Sequence, residues 1–105
     1  MIVLPNGFNV YPEDIENALR IAGVRDAVVL ETEPGRIEAV VLALEGETSD
    51  AIRTRVAAAV KAANASLGPN QRIAGWRQWP DEDFPRTHTL KIKRDPVRRW
   101  AGPGS

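Results

Sequence analysis

Two apolar runs, Val24 to Leu30 and Ile37 to Leu44, flank Glu33-Pro34-Gly35-Arg36, and this arrangement constrains the fold more than any other feature of the chain. Proline then glycine suits the central positions of a type II turn, the second of which needs a positive φ. The valine-rich flanks then read as two strands of one sheet. Successive strand residues point to opposite faces. On the second run Ile37, Ala39, Val41 and Ala43 form one face and Glu38, Val40, Leu42 and Leu44 the other, so both are largely apolar after Glu38. A strand of this kind must be covered on both sides, and helices are the expected cover.

The helices can be read directly. Pro12 suits a first turn, Glu13 and Asp14 favour its positive end, Ile15, Leu19 and Ala22 share a face, and Gly23 stops the helix. A second helix takes Ser49 or Asp50 as its cap and runs to about Ser66, with Ile52, Val56, Val60, Ala63 and Leu67 at helical spacing. Leu67-Gly68-Pro69 ends it. Ile73 to Trp79 is a third strand, with Trp76 and Trp79 divided between core and rim. Asp95-Pro96-Val97 opens a short last helix ending near Trp100, and 101–105 form a flexible tail.

At the amino end, Ile2-Val3-Leu4 and Phe8-Asn9-Val10 flank Pro5-Asn6-Gly7, a hairpin signal because Asn and Gly both tolerate positive φ. So small a ribbon needs something to lie against. The order ββ–α–β–β–α–β–loop–α predicts one α+β domain over residues 1–100. Its sheet is small and mostly antiparallel, of about three strands packed by helices. A β-hairpin precedes the sheet, and a lysine loop and short helix follow it.

Composition narrows the function. A chain of 105 residues makes one domain with a modest core. Its formal net charge of zero gives no global argument for nucleic acid or an acidic membrane. With no cysteine there is neither a disulfide framework nor a thiolate metal site, which fits a cytoplasmic protein. No apolar run approaches the roughly 20 residues that span a bilayer. His88 is the single histidine, and no cluster of metal-ligand spacing surrounds it, so no metal site is expected on this chain and the residue reads as part of a loop. Neither a Ser/His/Asp signature nor a complete phosphate-loop motif is present.

Charge is uneven, however. From Arg86 to Arg99 there are six Lys/Arg against Asp95 alone. Within this end lies Phe84-Pro85-Arg86-Thr87-His88-Thr89-Leu90-Lys91-Ile92-Lys93-Arg94. Pro85 stiffens the entry, and Thr87 and Thr89 can bond neighbouring backbone groups to hold a turn. If Leu90 and Ile92 anchor the loop, the Lys91 ammonium stands on a defined stem, suited to a phosphate or carboxylate. The plainer reading is a solvated basic loop ahead of a helix.

Pro85-x-Thr87-x-Thr89-Leu90-Lys91-Ile92-x-Arg94 resembles the last core motif of the AMP-forming adenylating enzymes, which include the acyl-CoA synthetases, peptide-synthetase adenylation domains and beetle luciferases. Gly7-Phe8-Asn9-Val10-Tyr11-Pro12-Glu13-Asp14-Ile15-Glu16 resembles a second motif of the same family, in the family's order and at about its distance. The resemblance covers essentially the whole chain and implies the small carboxy-terminal subdomain of such an enzyme, a mobile lid against a large amino-terminal domain. It implies that Lys91 is the adenylation lysine and that Pro85, Thr87 and Thr89 support its loop. It also implies that the hairpin residues Gly7, Phe8 and Asn9 face the pantetheine arm of CoA after the lid rotates.

Lys93 and Arg94 read as solvated residues or loop braces, and Glu16 as structural support on the first helix. The substrates implied are a carboxylic acid, ATP with Mg, and CoA. The Trp79-Pro80 to Arg94 region, with Phe84-Pro85-Arg86-Thr87 before the lysine, resembles fatty-acid activators more than peptide synthetases.

Three departures bear on this resemblance. Leu90 stands where the commoner motif has glycine, the upstream hinge residue is absent, and the phosphate-binding loop and most of the acyl pocket belong to the large domain. An isolated fragment is therefore expected to be inactive, and Met1 just before a mid-protein motif suggests an excised domain. Two alternatives stand beside this reading. One is a small α+β module using its basic end for an anionic partner such as RNA, which would call for aromatics interleaved with basic residues on an exposed sheet. The other is a stand-alone protein serving a separate large domain.

Overall fold

The computed structural model describes residues 2–24 and 26–101. The predicted strand pair forms: β3 (Ala27–Glu33) and β4 (Arg36–Val41) are antiparallel, joined through Pro34-Gly35 with Gly35 at φ 80°. The positive φ is the type II requirement, met by the one residue type that accepts it without strain. Ahead of this pair lie β1 (Ile2–Val3), β2 (Asn9–Val10) and helix α1 (Pro12–Ile21). Helix α2 (Ser49–Ser66), β5 (Gly75–Gln78) and α3 (Arg94–Ala101) follow it.

The three-stranded sheet has the order β3-β4-β5, and β5 runs parallel to β4. A parallel neighbour needs a crossover, and α2 supplies it. The antiparallel pairs are thus β3–β4 and the separate β1–β2 ribbon.

Both faces of β4 are buried, as the alternation requires. Ile37, Ala39 and Val41 join Val29, Ile15, Leu19, Ile52 and Val56 in one core under α1 and α2. Val28, Leu30 and Val40 join Trp79, Phe84, Val97 and Ala101 in a second core under α3. Each fully buried aliphatic side chain stabilises the fold by roughly 1.5–3 kcal/mol.

Helix ends follow local chemistry with one revision. At the end of α1, Gly23 N–H donates to Arg20 O and Val24 N–H to Leu19 O, the paired bonds of a Schellman stop. Thr48, rather than Ser49 or Asp50, caps α2, its hydroxyl accepting from Ala51 N–H at 3.1 Å. The helix begins at Ser49, so the residue before it is the one in extended geometry that can cap.

The ribbon also has a cover of its own. Ile2, Leu4 and Val10 enter the first core, while Val3, Phe8 and Tyr11 are left exposed. Helix α3 extends through Ala101, which is buried and not part of a tail; the rest of the expected tail lies outside the described residues.

Glu38 is the one buried charged residue among those described. It is 5 % exposed and accepts hydrogen bonds from Thr32, from Arg36 Nε at 3.0 Å and from Arg77 Nε at 3.0 Å. Arg77 also donates to Ala101 O at 3.0 Å, joining β5, β4 and the end of α3. Burial pushes the Glu38 carboxyl up, but the bonds from Arg77, Thr32 and Arg36 together outweigh it and bring it down to about 2.

Candidate functional site

The lysine stretch folds as a tight hairpin. Arg86 and Ile92 form an antiparallel bridge, Lys93 N–H donates to Pro85 O at 2.7 Å and Thr87 N–H to Lys91 O at 2.8 Å. Leu90 N–H donates to Thr87 O at 2.9 Å and closes the tip. The threonines act locally, as their chemistry predicts: the Thr87 and Thr89 hydroxyls are 2.9 Å apart, and Thr87 Oγ1 accepts from Lys91 N–H at 3.3 Å. Phe84 roots the entry arm in the second core against Trp79, and half-buried Ile92 roots the exit arm.

Leu90 is not an anchor. Its side chain is 74 % exposed, and at φ 67° it is the one non-glycine residue with positive φ among those described. The glycine of the commoner motif would take this conformation freely, whereas leucine is strained there by about 1–2 kcal/mol. Leu90→Gly removes the strain but makes the unfolded chain more flexible, by about 0.5–1 kcal/mol. Chemical denaturation should therefore find stability unchanged or raised by up to about 1 kcal/mol; a loss of about 2 kcal/mol would show the strain to be absent.

Lys91 is exposed and has no ion-pair partner among the described residues. His88, Thr89 and Lys93 are exposed too. Arg94, by contrast, is a brace. Its guanidinium grips Glu16 on α1, with Nη1 to Oε2 at 2.8 Å, and Glu16 Oε2 also accepts from Val29 N–H at 2.9 Å on the outer edge of β3. Glu16 thereby satisfies an edge-strand donor and ties the base of the lysine hairpin to the ribbon's helix. Glu16→Ala leaves both partners unpaired, and a loss of about 2 kcal/mol in urea denaturation is expected, against under 0.5 kcal/mol for a solvated pair.

At the ribbon, Gly7 N–H donates to Leu4 O at 2.9 Å, closing a four-residue turn around Pro5-Asn6. Gly7 takes φ 88° and Asn6 does not share the left-handed region, so the expected pair of positive angles is one. A Cβ on Gly7 would meet nothing within 4 Å, and Phe8 and Asn9 beside it face outward. Among the described residues no hydrogen bond joins this turn to the lysine hairpin; Glu16–Arg94 is the bridge between their supporting elements.

Arg86 and Asp83 are contributors that sequence reasoning missed. Arg86 Nε and Nη2 donate to the Asp83 carboxylate at 2.9 and 2.8 Å. Only the Asp83-x-x-Arg86 spacing could have signalled the pair.

The arrangement disfavours a nucleic-acid surface. Both faces of β4 are covered, Trp79 and Phe84 are buried, Trp76 packs half-buried against the first core, and Trp100 stacks edge-on to Trp79 at 5.0 Å. Arg36, Arg77, Arg86, Arg94 and Arg98 are paired with carboxylates. Among the described residues no group of three or more His, Cys, Asp or Glu could hold a metal, and no helix is long and apolar enough to cross a membrane.

A small mixed sheet whose central strand is buried on both faces, with a lysine unpaired among the described residues on a braced hairpin and a glycine turn on a docked ribbon, defines a small α+β domain. The particular family follows from comparison. The chain belongs to the AMP-binding enzyme C-terminal domain family, whose model matches residues 1–99. It is similar to a fatty acyl CoA synthetase from Mycobacterium tuberculosis, with TM-score 0.68 and 26 % identity over 95 % of this chain and 19 % of that one. MatB from Rhodopseudomonas palustris shares the fold at TM-score 0.68 and 24 % identity, over 90 % of this chain and 18 % of MatB. A benzoate CoA ligase from Burkholderia xenovorans does so at 0.65 and 23 %, over 90 % of this chain and 22 % of the ligase. The chain thus spans about a fifth of the length of these structures. A search of curated proteins found no match.

Proposed function

We propose that this domain is the mobile lid of an AMP-forming acid–thiol ligase. The observation that carries the reading is the exposed Lys91, unpaired among the described residues, on a hairpin pinned at both arms, inside a family-model match over residues 1–99.

In the first half-reaction the carboxylate oxygen of the acid attacks the α-phosphorus of ATP and pyrophosphate leaves. Two anions meet and negative charge grows at the phosphorus. The Lys91 ammonium orients the carboxylate against the nucleotide and stabilises that charge. In the second half-reaction the CoA thiol attacks the acyl carbon, loses its proton and displaces AMP. The domain rotates as a rigid body, withdrawing Lys91 and bringing Gly7, Phe8 and Asn9 to the pantetheine arm. The exposed Val3, Phe8 and Tyr11 then meet the large amino-terminal domain. ATP, its Mg and the acid are held by that domain. Among the described residues no group of three or more His, Cys, Asp or Glu could hold that Mg, so its ligands would come from the large domain.

We assign the acid as a fatty acid. The support is the resemblance of the Trp79 to Arg94 region and the 26 % identity to a fatty acyl CoA synthetase. The test compares the whole ligase with a form lacking this domain. Fatty-acid-dependent ATP–pyrophosphate exchange and thioester formation should both collapse in the truncated form. Retention of both would remove the lid reading, and exchange with short aromatic acids alone would remove the fatty-acid assignment.

A further inference from the structure

The Arg86 guanidinium is 24 % exposed and reaches three places. Nε and Nη2 hold Asp83 at 2.9 and 2.8 Å, Nη2 lies 3.5 Å from Asp26 Oδ1, and Nη1 donates to Leu90 O at 3.2 Å. That carbonyl belongs to the peptide joining Leu90 to Lys91. We propose that Arg86 is the positioning residue for Lys91, fixing the peptide from which the lysine side chain departs. The inference rests on the adenylation role of Lys91 given above.

The need for such a device is local. Leu90 holds a left-handed backbone that leucine resists, and its exposed side chain gains no burial in return. Left alone, the peptide would relax toward ordinary φ and swing the Lys91 Cα–Cβ direction with it. Arg86 opposes this with a planar fork, in which one edge is fixed on carboxylates and the other holds the carbonyl. Its anchors come from different places, Asp83 from the turn after β5 and Asp26 from just before β3, so the lysine is referenced to the sheet and not only to its own loop. Hydrogen bonding from Arg86 holds the Asp83 carboxyl below its usual range, which keeps the anchor ionised. A glycine at position 90 would need no such restraint.

The experiment uses the full-length ligase and reads each half-reaction alone: acid-dependent ATP–pyrophosphate exchange, and thioester formation from synthetic acyl-adenylate. Arg86→Ala should lower kcat for exchange about 10- to 100-fold, the scale of a misplaced catalytic group, with KM for ATP and acid little changed. Thioester formation should stay within about twofold, because Lys91 is withdrawn in that step. Arg86→Lys, which keeps the charge but loses the fork, should recover only part of the exchange rate. Should Arg86→Ala fail to fold, Asp83→Asn loosens the same anchor and should show the same selective loss in smaller measure.

Unchanged exchange, or an equal loss in both half-reactions, would overturn the proposal. Lys91→Ala run in parallel separates the two readings. If it collapses exchange while Arg86→Ala leaves exchange unchanged, only the positioning role fails; if it leaves exchange intact, the adenylation role itself has failed.

Discussion

In a ligase carrying this domain, Lys91→Ala is expected to lower acid-dependent ATP–pyrophosphate exchange by about 100- to 1,000-fold, the usual effect of deleting one preorganised electrostatic contact in a closed site. Three features of the fold support so large an effect. The ammonium is exposed and has no ion-pair partner among the described residues, so their packing does not depend on it. The hairpin beneath it is bonded across both arms, from Pro85–Lys93 to Thr87–Lys91, so little ordering is left to the moment of reaction. Its neighbours Leu90 and Lys93 are also exposed, and nothing described would replace it at the same point. The variant should keep its melting temperature and its affinity for ATP, and should convert synthetic acyl-adenylate to thioester at the normal rate. Wild-type exchange would reduce Lys91 to a surface charge.

The second large effect concerns stability. Replacement of Glu38 by Gln keeps the shape but removes the charge that Arg36, Arg77 and Thr32 share. A carboxyl lowered from 4.5 to about 2 corresponds to about 3 kcal/mol at neutral pH. The arginine side chains are 47 % and 43 % exposed, and solvent screening reduces the expected loss in the variant to about 2 kcal/mol. The sign follows from the depressed value. The unfolded carboxyl titrates near 4.5 and the folded one near 2, so the contribution is complete above about pH 4.5 and is lost as pH falls toward 2. Denaturation curves at pH 7 and pH 3 should therefore lie far apart for wild type and variant at the first pH and closer at the second. A gap of the same size at both would mean the effect is one of packing alone. Because Arg77 also holds Ala101 O, the variant should expose α3 first, and Trp100 and Trp79 fluorescence would report it.

Much of this molecule is decided by near neighbours. The turn at Pro34-Gly35, the two-faced burial of β4 and the stop of α1 at Gly23 depend on residues within a few positions of each other, and local periodicity and turn chemistry suffice to read them. Thr87 and Thr89 belong here too, since their bonds stay within the loop.

Other features required the chain to fold back. Glu38 looked like one polar residue opening an apolar strand; its hydrogen-bond partners come from β3, β4 and β5, and Arg77 lies 39 positions away. Glu16 and Arg94 are separated by 78 positions, and their pairing depends on α1 and the hairpin exit meeting at one edge of β3. Arg86 read as one more charge in a basic run until Asp26 and the Leu90 carbonyl were brought to it. The parallel placement of β5 likewise depends on where α2 returns the chain, since strand direction leaves no mark on a four-residue run. Side-chain type and spacing determine what each segment can form, whereas the partners of a buried charge are set by three-dimensional proximity, to which sequence distance is no guide.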